Sequence, residues 1–305
     1  MKLAFLFPGQ GSQQAGMGAG LVDDPELARL CDVCSEAGGV DLGWLLAEAS
    51  EADLKLTHNA QPALFFVGVA LAVLLARRGI VPSAAAGHSV GEYAALCAGG
   101  AISPEDGIRA VVERGRAMAD AVPAGTTTMA AVLGLGEEAV RAAIRDRGPI
   151  WPANVNTPGQ IVIAGEARAV AAAAAPLKEA GARRVVALNV SAAFHSPFMR
   201  PAAERLRRAL DGLPWRDPAL PVVANVDAQA YTSASEIPAK LERQLFSPVL
   251  WGACVDALTS LGCDTFLELG PRRALTGMMH ELAPDATSAS VPGAAAVGAL
   301  NLAGR

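Results

Sequence analysis

Short, continuous apolar runs alternate with longer segments of helical period along the first part of the chain. Leu3 to Phe7 is one such run, of strand length and ending at Pro8-Gly9; Ile80 to Ala86 is another, ending at Gly87. Each reads as a short buried strand. Between them, Gln61 opens a strongly apolar helix through Ala76, with Pro62 in the tolerated first turn and Arg77-Arg78-Gly79 as the stop. Glu92 onwards is a helix-forming run. Ser103-Pro104-Glu105-Asp106 has the N-cap, the first-position proline and the first-turn acids of a helix that extends to about Val122. Residues 22 to 55 are mixed and acidic, and read as short surface helices.

The rhythm changes at Pro123-Ala124-Gly125. Thr128–Leu135 is strand-like, Glu137–Arg147 helical, Trp151–Asn156 and Gln160–Ala164 are strands joined by Thr157-Pro158-Gly159, Ala167–Ala180 is helical, and Arg184–Val190 is a strand. The order β-α-β-β-α-β is a split βαβ, ferredoxin-like unit. It divides the chain into a large α/β domain, residues 1–124 and 191–305, and an inserted subdomain, residues 125–190. In the returning segment Pro201–Leu210, Cys254–Gly262 and Ala274–Leu282 read as helices, and Val222–Asn225 and Thr265–Gly270 as strands. Leu245 to Trp251 reads as a loop, and the small-residue tail from Ala283 is expected to be partly loose.

Composition narrows the function classes. The chain is 52% hydrophobic and 18% charged, much of the former being alanine. Its longest apolar run, the 14 residues Ala63–Ala76, falls short of the ~18 residues of a membrane span. No basic start or cleavage site marks a secretory signal, so a cytoplasmic protein is expected. A net charge of −5, with no basic block, argues against nucleic acid as the main partner. Five cysteines without an export signal read as reduced thiols; the lone Cys31-x-x-Cys34 lacks the second pair that zinc needs, and no metal or cofactor is expected.

The chemistry centres on Gly87-His88-Ser89-Val90-Gly91, between a strand and a helix. That is the Gly-x-Ser-x-Gly nucleophile elbow, in which small residues let the helix pass close to the strand and leave the serine exposed on a strained turn. The bland alternative is a glycine-rich turn with a buried hydroxyl. Gly9-Gln10-Gly11-Ser12-Gln13 follows the first strand; its glycines are wrongly spaced for a Walker A loop. It offers free N–H groups for a developing oxyanion, or it is an ordinary βα turn. A serine nucleophile needs a base, and there are four histidines: His58, His88, His195 and His280. His195 alone sits in a non-helical segment at a domain junction, where clefts form; the other reading is a hydrogen-bonded interdomain histidine. No acid is an obvious third triad member; a backbone carbonyl is another group able to orient the ring. Arg109, Arg114 and Arg116 share one helix, and helix arginines are ordinarily solvated.

Gly9–Gln13, Gly87–Tyr93, Asn154–Gly165 and Phe194-His195-Ser196 occur in an order and at spacings that resemble the malonyl-CoA:acyl carrier protein transacylases and the acyltransferases of polyketide synthases, over essentially the whole chain. The resemblance implies an α/β-hydrolase-like large domain with a parallel sheet plus the ferredoxin-like insert, and a ping-pong transfer of malonyl from malonyl-CoA to a phosphopantetheinylated acyl carrier protein. It implies Ser89 as nucleophile, His195 as base, the N–H groups of Gln10 and Val90 as oxyanion hole, and Arg114 on the malonyl carboxylate. Phe194 and His88 count with the substrate-binding residues. Ala192-Ala193-Phe194-His195 keeps the phenylalanine of the malonyl-selective type but not its first histidine. Leu250 stands before Trp251 where stand-alone bacterial enzymes often have Gln, in the loop whose backbone carbonyl is expected to hold the histidine. A monomer is expected, without membrane or nucleic-acid partner. The alternatives are an acyltransferase of the same fold for another acyl group or between two carriers, a carrier-acyl hydrolase, and a non-catalytic docking subunit.

Overall fold

The computed structural model describes residues 1–300. The two apolar runs lie side by side: β1 (Leu3–Phe7) is buried along its whole length, and β2 (Ala84–Gly87) runs parallel to it in the register Ala4 to Ala84 through Phe7 to Gly87. The remaining strands are β3 (Thr127–Leu133), β4 (Ile150–Thr157), β5 (Gln160–Glu166), β6 (Arg184–Ala187), β7 (Val222–Val223), β8 (Thr265–Leu269) and β9 (Thr287–Val291). One sheet has the order β7-β2-β1-β8-β9 and is parallel throughout. The other has the order β4-β5-β3-β6 and is antiparallel, the ferredoxin-like arrangement. The result is an α/β-hydrolase-like parallel sheet joined to a small antiparallel one.

β1 is central, with β2 on one side and β8 on the other. In a parallel sheet such a reversal of strand order opens a crevice outside the carboxyl ends of the strands. The loop after β1 and the turn after β2 therefore emerge side by side. The His88 N–H donates to the Phe7 carbonyl at 2.8 Å, and a Cβ on Gly9 would lie 2.6 Å from the His88 carbonyl oxygen.

The apolar helix runs from Thr57 to Arg77, one turn earlier than its composition indicates, so that Pro62 lies inside it. Pro62 has no N–H to return to the His58 carbonyl. That same turn meets Gly115 of the helix Pro104–Asp120, where a Cβ would stand 2.9 Å from His58 Cα. The Thr57–Arg77 helix is long and apolar enough to cross a bilayer, but 72% of its most apolar stretch is buried in the protein. Phe65 and Phe66 on it are buried to within 1% of full occlusion; burying a side chain of that size contributes about 1.5–3 kcal/mol.

Several expectations need correction. Residues 22–55 are not merely surface helices: Pro25–Gly38 is a 14-residue helix that buries Leu27, Cys31 and Cys34. The helix expected over 167–180 is two short ones, Ala167–Ala172 and Ala174–Glu179, parted at Ala173. Ile237–Phe246, read in part as loop, is a helix. The tail, expected to be partly loose, forms β9 and a helix, Ala294–Ala299, as far as it is described; residues 301–305 lie outside the described residues. Its small side chains carry little apolar signal, and what orders it is main-chain pairing with β8 plus the burial of Val291 and Val297.

The elbow is the tightest point of the fold. A Cβ on Gly87 would lie 1.9 Å from the Gly91 carbonyl carbon, and one on Gly91 would lie 2.1 Å from the Phe7 carbonyl oxygen. Backbone, not a mobile side chain, is the obstacle in both cases. Gly91→Ala is therefore expected to destabilise the protein by more than about 4 kcal/mol or to prevent folding. Gly212→Ala, at an exposed helix end whose nearest neighbour would be 3.6 Å away, is expected to stay within about 0.5 kcal/mol of the parent in urea denaturation.

Candidate active site

The elbow turn holds Ser89 at φ 54°, in the left-handed region that costs an L-residue about 1–2 kcal/mol. Asn225, two residues after β7, holds it there. Its Oδ1 accepts the Ser89 N–H at 2.7 Å and its Nδ2 donates to the Gly87 carbonyl at 2.7 Å. Asn225 is fully buried, so these bonds have no competing water.

Ser89 Oγ lies 2.7 Å from Nε2 of His195. The histidine comes from the segment after β6, itself pinned by the Ala193 N–H on Thr127 Oγ1 at 3.0 Å and by Ser196 Oγ on the Ala193 carbonyl at 2.6 Å. His195 also has a positive φ, 56°. Its Nδ1 is 2.8 Å from the Gln244 carbonyl oxygen. A carbonyl only accepts, so Nδ1 carries the proton and Nε2 presents its lone pair to the serine. Burial, reinforced by the charge of Arg114, lowers the ring pKa to about 3 and keeps it neutral at pH 7. The orienting carbonyl is that of Gln244, at the end of the Ile237–Phe246 helix. Leu250, where the loop carbonyl was expected, instead gives its N–H to the Asn225 carbonyl at 3.0 Å and accepts from Cys254 N–H.

Arg114 is 1% exposed. Its Nη1 donates to Gln61 Oε1 at 2.6 Å, and its Nη2 donates to Gln244 Oε1 at 2.9 Å and to Ser89 Oγ at 3.0 Å. Its buried Nε–H has no protein partner, and no carboxylate among the described residues pairs with it. Gln61 passes the arrangement on, Nε2 to Thr57 Oγ1 at 2.9 Å, and Thr57 Oγ1 donates to Gln10 Oε1 at 2.6 Å. The carboxamide of Gln10 is thus tied to the same relay as the guanidinium. The main-chain N–H groups of Gln10 and Val90 donate to no protein acceptor among the described residues.

A cavity of about 420 Å³ opens between the two sheets. Gln10, His88, Ser89, Arg114, Phe194 and His195 all reach its wall; Val90 is fully buried behind the elbow, with only its main chain available. Much of the rest of the wall is apolar, including Met118, Met129, Val162 and Leu188. His88 is not placed as a base for Ser89. Its Nε2 bonds Asn156 Oδ1 at 3.0 Å and its ring lies against Trp251 at 5.5 Å between centroids, while burial lowers its pKa. Cys31 and Cys34 lie away from the cavity wall as free, buried thiols, with Cys34 pushed up to about 12 chiefly by burial. Among the described residues no three His, Cys, Asp or Glu side chains are grouped to hold a metal ion.

Gln61, Asn225 and Gln244 lay outside the motifs, and Glu92 lay inside one without a role. Gln61 carried a signal, a polar residue opening an otherwise apolar helix. The other three depend on long-range contacts, Gln244 in particular standing 155 residues from the Ser89 carbonyl that accepts its Nε2–H at 3.0 Å.

The family described as the acyl transferase domain matches residues 4–301. The malonyl CoA-acyl carrier protein transacylase of Bacillus subtilis (strain 168) is 43% identical over 286 residues, 92% of this chain and 90% of that protein. The crystal structure of an acyl carrier protein S-malonyltransferase from Vibrio cholerae O1 superposes with a TM-score of 0.94 at 39% identity, covering 99% of this chain and all of that one. A malonyl-transacylase solved in complex with a type II polyketide synthase acyl carrier protein superposes with a TM-score of 0.93 at 39% identity, over 97% of this chain and 98% of that one. Serine, histidine and arginine meet in one cavity on a fold shared from end to end, and the chain belongs to the acyl transferase domain family that contains the malonyl-CoA:acyl carrier protein transacylases.

Proposed function

We propose that the protein moves a malonyl group from malonyl-CoA, through an ester on Ser89, to the phosphopantetheine thiol of an acyl carrier protein. The observation that carries this reading is Arg114, a buried cation without a carboxylate partner whose Nη2 reaches Ser89 Oγ. An uncharged acyl group would leave it unpaired in the cavity; an acyl group ending in a carboxylate gives its planar fork a two-point partner. The names of the relatives support the same donor and acceptor.

In this mechanism the neutral His195 takes the Ser89 proton at Nε2 as Oγ attacks the thioester carbonyl. The N–H groups of Gln10 and Val90 hold the oxyanion, aided by the N-terminus of the helix Gly91–Ala98. The carbon–sulfur bond breaks, His195 returns the proton to the departing thiol, and Arg114 keeps the malonyl ester in place. The carrier thiol then attacks by the same steps in reverse. Phe194 stands over the acyl group's α-carbon and disfavours added methyl groups, each worth about 1–3 kcal/mol in an apolar pocket. His88 serves the substrate side of the cavity wall. Residues 1–124 and 191–305 act as the large domain and 125–190 as the subdomain that closes the cavity, in a cytoplasmic monomer.

Intact mass measured after brief mixing with malonyl-CoA, methylmalonyl-CoA and acetyl-CoA tests the reading. A malonyl adduct on the parent and none on Ser89→Ala is expected; no adduct from any donor overturns it. Arg114→Ala is expected to lower kcat/KM for malonyl-CoA by about 10²-fold or more, without a comparable loss for acetyl-CoA, in steady-state assays. The depressed His195 pKa sets the sign of the acid limb. The base stays neutral well below pH 6.5, so kcat/KM is expected to show no loss as pH falls from 7 to 5, where an exposed histidine would already be protonated.

A further inference from the structure

Glu92, three residues after the nucleophile on the elbow helix, is fully buried and touches nothing that reacts. Its Oε2 accepts the Asn225 N–H at 3.0 Å and Gln244 Nε2–H at 2.7 Å, and its Oε1 accepts the Tyr231 hydroxyl. All three partners donate, which is the surrounding of an ionised carboxylate. The same Gln244 side chain that donates to Glu92 accepts from Arg114 at its other end, and its main-chain carbonyl accepts from His195. Asn225, the second partner, holds the Ser89 main chain. One amide therefore separates the only buried guanidinium of the site from a buried carboxylate.

Resting on the functional reading above, we propose that Glu92 is the resident counterion of Arg114, acting through Gln244, and that it takes up a proton from the medium when the acyl carboxylate docks on Arg114. A buried cation is costly unless a negative charge stands near it, and in the empty cavity Glu92 supplies that charge at one remove. A malonyl carboxylate brings a second negative charge to the same cation. Protonating Glu92 restores the balance, with the proton on the carboxyl oxygen that faces Tyr231. Desolvation raises the Glu92 pKa to about 7, against the lowering effect of its hydrogen bonds and of Arg114, so the group is poised to respond near neutrality. The other titratable or charged groups around it are Tyr93 on its own helix, Arg114, Tyr231 with Lys240 over its ring at 5.0 Å, Asp227, Cys254 and His195. Burial holds Tyr93, Tyr231 and Cys254 neutral, and His195 is neutral already. Glu92 is a positioning residue, whose effect on substrate passes through Gln244 and Arg114.

The linkage is read directly. Exchange of a thioester for a serine ester plus a neutral thiol releases no net proton, so uptake in weakly buffered solution with a pH indicator reports on the protein. At pH 7.5 about half a proton or more per malonyl group bound to the parent is expected. Across pH 6.5 to 8.5 the apparent KM for malonyl-CoA is expected to rise about tenfold, because anion binding coupled to proton uptake weakens as pH rises. Glu92→Gln is expected to abolish the uptake and to flatten the KM profile to within about twofold. Tyr231→Phe, which removes one donor to the carboxylate, is expected to move the midpoint to higher pH. Malonylation measured by mass in the same samples separates the two claims. An adduct formed without proton uptake, or uptake unchanged in Glu92→Gln, overturns the linkage and leaves the functional reading standing; absence of the adduct overturns both.

Discussion

Everything at the centre of this protein depends on one close approach, the passage of the elbow helix over the ends of β1 and β2. Gly87 and Gly91 permit it, each with space filled by main-chain atoms where a Cβ would be. That contact turns Ser89 outward and leaves its neighbour's N–H group unpaired. It also places the β1 loop against the elbow, so that Gln10 and Ser89 share one cavity wall. A packing constraint of backbone on backbone leaves no room for relaxation, which makes the geometry hard to disturb by thermal motion and unforgiving of substitution.

Around that turn, polar groups are held by other buried polar groups. Thr57, Gln61, Arg114 and Gln244 connect the loop after β1 to the histidine, and Asn225 and Glu92 connect the elbow to the same glutamine. In a low-dielectric interior each bond is stronger than in water, and each missing partner costs more. Three elements far apart in sequence contribute to it: the Thr57–Arg77 helix supplies Thr57 and Gln61, the Ile237–Phe246 helix Gln244, and the segment after β7 Asn225. The strained φ angles of Ser89 and His195 are retained because this surrounding network over-determines them.

The division of labour between the sheets follows from their edges. The parallel sheet, with β1, β2 and β8 buried along their whole length, supplies the serine side of the cavity, and the helix Pro104–Asp120 adds Arg114. The antiparallel sheet supplies the opposing wall and, through the segment after β6, the histidine. A site made from both halves is set by how they pack as much as by either half. Two hydrogen bonds, Ala193 to Thr127 and His195 to Gln244, carry that relation into the placement of His195.

The local pattern was enough for the elbow, the buried strands on either side of it, the split βαβ order of residues 125–190 and the single non-helical histidine beside Pro197, because each is written in neighbouring residues: glycine spacing, apolar runs, a turn. Arg114 could be picked from among its helix neighbours only by resemblance, since an arginine on a helix is solvated unless something covers it, and what covers it is Gln61 and Gln244 from other elements. The order of the tail was illegible because β9 has little apolar content and exists by pairing with β8. The carbonyl that orients His195 could not be assigned to Gln244, and Glu92 read only as a helix former. Local chemistry determined which groups could react; which carbonyl, amide and carboxylate govern them was decided by packing, because hydrogen bonds between residues 49 to 152 positions apart leave no periodicity in the chain.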